Sequence, residues 1–256
     1  MRLFRRSALL FLAFVGLLAL TSSCSVREEL IIDGDGAGEA TISVNLSPVL
    51  LAYYNDLLIA MTGVEGESPV FDVDQIRASF AERDGIELTS VERPARGRLR
   101  MSFTFDDVNE VLARESGTAA AQGAPVDPSE VIQFRSNGAR REVIVRLDRS
   151  AVDSFLSFAP PESATMTEFL FPPADGSVSE REYRDELAWA LEEYAPPDEV
   201  NELLRSASID VWVRPEGRIE SQRGGTIRDG AVVFSVPILE VLTLSRVREY
   251  LLVFVP

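Results

Sequence analysis

The chain contains no histidine and no lysine, and its single cysteine is Cys24. The missing histidine excludes a Ser-His-Asp triad, an imidazole general base and histidine-ligated zinc. The missing lysine excludes a Schiff base and the phosphate-binding lysine of a P-loop. One cysteine allows neither an internal disulfide nor a cysteine-cluster metal site. We therefore expect a protein that is not an enzyme and that needs no cofactor.

All the positive charge comes from arginine. The 256 residues include 25 arginines against 41 aspartates and glutamates, which gives a formal net charge of −16. An acidic surface is repelled by phosphate backbones, so the composition disfavours nucleic acid as a partner. The hydrophobic share of 46% is typical of a folded globular protein.

The first 24 residues, MRLFRRSALLFLAFVGLLALTSSC, have the parts of a bacterial lipoprotein signal. Three arginines precede an apolar run at residues 8–20, which is too short to span a bilayer comfortably. Small residues then lead to Cys24, whose position resembles that of the acylated cysteine. Thr21 stands where such signals usually have leucine, so an ordinary signal peptide or a short anchor is the alternative.

We predict that residues 1–23 are the signal peptide and that residues 24–256 are a lipid-anchored envelope domain facing outside the cytoplasm. Removal of residues 1–23 leaves 22 arginines against 41 acidic residues, a formal charge of −19. Anionic lipid repels such a domain, so acyl chains on Cys24 would have to provide the attachment. The membrane in question is the cell membrane or the outer membrane.

The pattern of segments predicts an α+β fold, with a mixed, mostly antiparallel sheet built from hairpins and several packed amphipathic helices. Alternating apolar residues at 40–46 indicate a strand, and Ser47-Pro48 is a helix start. Residues 115–130 are small, polar and proline-containing, which makes them a linker candidate within the domain. The apolar helix at residues 49–61 is expected to be buried, the alternative being contact with lipid.

Arginines cluster at one predicted hairpin. Arg96, Arg98 and Arg100 surround the turn between two strands and are a candidate docking patch for an anion or a partner protein, because guanidinium groups bind carboxylate and phosphate well. The alternative is that they are solvated turn residues that balance nearby acids. Arg140 and Arg141 form a second, smaller cluster.

Two acidic motifs have a structural and a functional interpretation. Asp33-Gly34-Asp35-Gly36 lacks the later ligands of a calcium loop and is interpreted as a hairpin turn. Glu186 and Glu193 flank Trp189 on a predicted helix, and a carboxylate-dependent glycan hydrolase would use such a pair. Charged residues are also expected on the outer face of that helix, and we favour this second interpretation.

The start of the predicted mature chain, CSVREELIIDGDGAGEATISVNLSP, and the stretch at residues 213–244 resemble LppM-like bacterial envelope lipoproteins. The resemblance lies in a hairpin around a D-G-x-G turn and in a Pro-Glu-Gly-Arg-Ile segment followed by short glycine loops and a strand. It implies a membrane-associated envelope domain and assigns no catalytic residue.

The sequence therefore favours a non-enzymatic binding or assembly module, anchored in the envelope through Cys24. Two alternatives remain. One is a carrier that holds a lipid or glycolipid in an apolar cavity beneath the sheet, and the other is the glycan hydrolase.

Overall fold

The computed structural model describes residues 24–63, 70–111, 132–147, 172, 178–243 and 247–256. Within these residues, eleven strands form two sheets and six segments are helical. The strands are β1 (Ser25–Ile32), β2 (Gly38–Asn45), β3 (Ile86–Ala95), β4 (Arg98–Phe105), β5 (Ile132–Asn137), β6 (Arg140–Leu147), β7 (Ser208–Pro215), β8 (Arg218–Arg223), β9 (Thr226–Arg228), β10 (Ala231–Pro237) and β11 (Arg248–Val255). The helices are α1 (Pro48–Thr62), α2 (Val73–Ala81), α3 (Val108–Val111), α4 (Glu180–Leu191), α5 (Pro197–Ser206) and α6 (Ile238–Leu242).

The larger sheet has the strand order β3-β4-β2-β1-β7-β10-β9. Its centre is β1, which pairs antiparallel with β2 and parallel with β7 over its whole length. The other pairs in this sheet are antiparallel. The first strand after Cys24 is therefore held on both sides, by neighbours from opposite halves of the chain.

The smaller sheet has the order β5-β6-β11-β8, and all its pairs are antiparallel. Buried side chains from both sheets form one continuous cluster, so the sheets pack face to face. The chain passes from the small sheet to the large one at Gly224-Gly225. A Cβ at Gly225 would lie 2.7 Å from the ring of Phe234, so the close approach of this backbone to the core requires glycine.

A second buried cluster lies beside the sheets and joins α1, α4, α5 and α6. We call it the helical cap. Its fully buried members are Cys24, Val49, Tyr183, Leu191, Val200, Leu203, Leu204, Ala207 and Leu239. The cap helices begin at strong sequence signals: the Ser47 side chain caps α1, and Ser179 with Glu182 forms a capping box on α4.

The predicted α+β class with mostly antiparallel pairing is confirmed. The expectation of one sheet was too simple, because the strands divide between two. The expected burial of the apolar helix is wrong: of the described side chains of α1 only Val49 is buried, and the others are half-buried or exposed. The predicted signal peptide at residues 1–23 and the linker candidate at residues 115–130 lie outside the described residues.

Candidate functional site

Cys24 is the first described residue, and β1 begins at the next position. Its side chain belongs to the helical cap and is only 2% exposed. The backbone N–H of Ser47 donates a hydrogen bond to Cys24 Sγ over 3.2 Å, and the backbone N–H of Ser208 donates to its carbonyl oxygen. Cys24 therefore ties the start of β1 to the start of α1 and to β7.

Burial raises the pKa of the Cys24 thiol above its ordinary value, and the hydrogen bond from Ser47 only partly opposes this. A raised pKa keeps the group as a neutral thiol, which is a weak nucleophile. The folded protein thus holds Cys24 as a buried thiol of low reactivity.

A buried carboxyl group lies four residues after Cys24, within β1. Glu28 is 2% exposed, and its Oε1 has no hydrogen-bond partner among the described residues. Its partners in the sheet are Ile42 on β2 and Val211 on β7, both buried and apolar. Loss of hydration in these surroundings raises the pKa of Glu28 to about 7.

Sequence reasoning did not single out Glu28, although a signal was present. Glu28, Leu30 and Ile32 share one face of β1 because side chains alternate along a strand, and the latter two are fully buried. A glutamate on the same strand face as two core residues is expected to be buried. Buried carboxyl groups are uncommon unless they are paired.

Arg96, Arg98 and Arg100, the predicted docking patch, have different surroundings in the structure. The Arg96 side chain donates to Asn55 Oδ1 of α1 over 2.9 Å, so it joins the hairpin to the helical cap. Arg98 donates to Asn45 on the adjacent β2, and both Arg98 and Arg100 are exposed along β4. The docking role of the three arginines stays a prediction.

The second arginine cluster lies on the small sheet. Arg140 forms an ion pair with Glu220 at 2.7 Å, and Arg218 approaches the same carboxylate at 3.4 Å. Arg141 instead donates to the carbonyl oxygens of Gly34 and Gly138, so it links the small sheet to the turn after β1. The open groove of about 440 Å³ between Arg140, Arg218 and Glu220 is charged and shallow.

The two tryptophans have different surroundings. Trp212 lies on the outer face of β7, where the guanidinium of Arg27 stacks 4.2 Å from the ring centroid. Trp189 lies on α4 and is 74% exposed, and Glu186 and Glu193 are exposed near it. The structure therefore brings the acids suggested for a hydrolase close to an aromatic ring, on an outward helix surface.

The turn interpretation of Asp33-Gly34-Asp35-Gly36 agrees with the geometry. Asp33 Oδ1 accepts the backbone N–H groups of Asp35, Gly36 and Ala37 at 2.8 to 3.0 Å, and Gly36 has a φ of 95°. Among the residues that the structure describes, no group of three or more acidic, cysteine or histidine side chains could hold a metal ion.

No helix in the described ranges is both long and apolar enough to cross a membrane. The space between the two sheets contains the large apolar cluster described above. A cavity that could hold a lipid there stays a prediction.

The fold and its buried first strand define an α+β protein of two packed sheets with a helical cap. No protein-family model and no curated protein sequence matches the chain. Among solved structures, the NMR structure of the folded domain of LppM from Mycobacterium tuberculosis resembles it at a TM-score of 0.37 and 14% identity, over 92% of this chain and 91% of that one. This is a distant likeness of fold, and it carries no information on the site.

Proposed function

We propose that the chain is a lipid-anchored, non-enzymatic protein of the bacterial cell envelope, which acts outside the cytoplasm as a binding or assembly module. The observation that carries the proposal is the position of Cys24. The only cysteine of the chain ends a signal-like segment and immediately precedes the central strand of the larger sheet.

This position has a mechanical consequence. No flexible segment separates Cys24 from β1, so a lipid on Cys24 would hold the folded domain at the membrane surface. The mature charge of −19 opposes attraction to anionic lipid, so the acyl chains supply the binding free energy.

Acylation also requires a local change of the structure. A diacylglyceryl group on Cys24 Sγ forms a thioether, and its glyceryl carbons need an exit from the helical cap, where the thiol is buried. We therefore propose that the lipidated residue turns out of the cap and releases the N–H of Ser47 from Sγ.

Metabolic labelling with a clickable fatty-acid analogue tests the anchor. We expect the wild-type chain and a Ser25→Ala control to be labelled and to enter the detergent phase on phase separation. A Cys24→Ser variant should be unlabelled and should remain in the aqueous phase. Persistent labelling of Cys24→Ser would contradict the proposal.

A further inference from the structure

Trp189 is the most exposed large hydrophobic residue among those that the structure describes. It lies on α4, on the side opposite to Tyr183 and Leu191, which are buried in the helical cap. Packing of the cap therefore does not use the indole ring. A tryptophan that leaves 74% of its surface in water has no evident role in stability.

Carboxylates surround this ring along the helix. Asp185 and Glu186 lie one turn before Trp189, and Glu192 and Glu193 lie in the turn that follows α4; all four are exposed. The ion pairs that the structure describes on α4 and α5 join Arg184 to Glu180 and Arg205 to Glu202. None of the four carboxylates takes part in either pair.

The other tryptophan shows what such a ring binds in this molecule. Arg27 stacks on Trp212 at 4.2 Å, whereas no cation of the described residues lies over Trp189. An indole face attracts guanidinium and ammonium groups, and adjacent carboxylates add charge-assisted hydrogen bonds to the same groups.

We propose that the Trp189 face of α4, defined as Trp189 with Asp185, Glu186, Glu192 and Glu193, is a docking surface for an arginine- or lysine-rich segment of a partner protein. The inference rests on the proposed function as a binding module, and it names the class of partner. Charge complementarity selects this occupant, because the carboxylates repel an anionic lipid surface or an acidic protein.

The test uses the full-length protein in detergent and a synthetic oligo-arginine peptide, with a Gly-Ser peptide of equal length as the control ligand. Trp189 and Trp212 are the only tryptophans, so in a Trp212→Phe background the tryptophan emission, excited selectively over tyrosine, comes from Trp189 alone. We expect a saturable change of Trp189 emission with oligo-arginine and none with the Gly-Ser peptide. Calorimetry on the unaltered chain should give the same affinity.

Three variants separate a local site from bulk acidity. Trp189→Ala should weaken oligo-arginine binding about tenfold, as loss of a central aromatic anchor does. Asp185→Asn with Glu186→Gln should also weaken it clearly. Glu87→Gln with Asp106→Asn removes the same charge from exposed positions at the start of β3 and the end of β4, and should leave the affinity nearly unchanged.

Two results would overturn the inference: unchanged affinity in Trp189→Ala, or equal weakening by the two double variants, which would indicate charge alone. Fatty-acid labelling of the same preparations keeps the two proposals distinct. A protein that is labelled at Cys24 but does not bind the peptide through Trp189 retains the anchor and loses only the docking surface.

Discussion

Glu28 is the residue whose chemistry departs most from its sequence neighbours. Arg27 and Glu29, on either side, point outward and form an ion pair with each other, each about half exposed. Glu28 points inward between apolar strands, and burial raises the pKa of its carboxyl to about 7, so the protonated form predominates only below neutral pH. The core of this acidic protein thus contains one group that responds to pH in a range where exposed carboxylates do not.

The pH dependence of stability tests this assignment. The folded-state pKa of Glu28, about 7, lies above its ordinary value of 4.5, so folding favours the protonated form. The contribution of Glu28 to the free energy of unfolding is fully present below about pH 4.5. It declines as the pH rises and is lost above pH 7, and the total loss is about 3 kcal/mol. Urea unfolding between pH 5 and 8 should show this decline.

A Glu28→Gln variant should remove most of the decline, because glutamine does not titrate. Glu29→Gln, at the adjacent exposed position, is the matched control and should keep it. The chain has no histidine that could contribute in this range. An equal pH dependence in wild type and Glu28→Gln would show that Glu28 is ionised in the folded protein or that another group is responsible.

Arg96 and Arg100 of the hairpin should differ in their effect on stability. Arg96→Gln breaks a partly buried hydrogen bond to Asn55 and should lower the free energy of unfolding by about 1 kcal/mol. Arg100→Gln changes an exposed strand residue and should stay within about 0.5 kcal/mol of wild type. Chemical denaturation of both variants checks this, and equal effects would contradict the division of the patch.

At the scale of elements, α1 connects Cys24 to the helices of the cap. The Ser47 side chain accepts the N–H of Leu50 and caps the helix, while its own backbone N–H donates to Cys24 Sγ. At the other end, Gly63 closes α1 in the left-handed conformation with a φ of 66°. In between, Asp56 accepts a hydrogen bond from Tyr194, which fixes α1 against the end of α4.

Ser47→Ala should lower the free energy of unfolding by about 1 kcal/mol, because it removes the side-chain hydrogen bond at the N-terminus of α1. Ser47→Gly is the matched comparison, because glycine at this position costs only a few tenths of a kcal/mol relative to serine. Thermal unfolding of the two variants measures the difference. If Ser47→Ala were as stable as the wild type, the side-chain hydrogen bond to Leu50 would contribute nothing.

Local signals in the sequence were enough to locate most elements. Ser47-Pro48 and the Asp33 turn predicted the observed start of α1 and the turn after β1, because the side chains that satisfy backbone groups lie within three or four residues. The short β9 and α6 have no such signal and were missed.

Long-range features were not predictable in the same way. The parallel pairing of β1 with β7 joins residues about 180 positions apart, and no local pattern specifies it. Between the two sheets the chain passes the ring of Tyr250 at Gly224 and the ring of Phe234 at Gly225, and only tertiary packing shows these close approaches. The burial of Cys24 and Glu28 follows from the same pairing, so the sequence indicated Cys24 by its uniqueness and did not indicate Glu28.

For the whole molecule, the fold places Cys24, the proposed anchor residue, directly before the central strand of the larger of two packed sheets. Force or displacement at the membrane would reach β1 without passing through a linker, and β1 is hydrogen-bonded on both sides. The helical cap packs around the Cys24 side chain, and the Trp189 face lies on the outer surface of the cap. A binding module built in this way would present its partner surface close to the membrane.

The most direct test of the central claim is the mass of the N-terminal peptide of the protein extracted from membranes. We expect that peptide to begin at Cys24 and to carry the added mass of a diacylglyceryl group on its sulfur. An N-terminal peptide that begins at another residue, or a Cys24 that carries no lipid, would contradict the account.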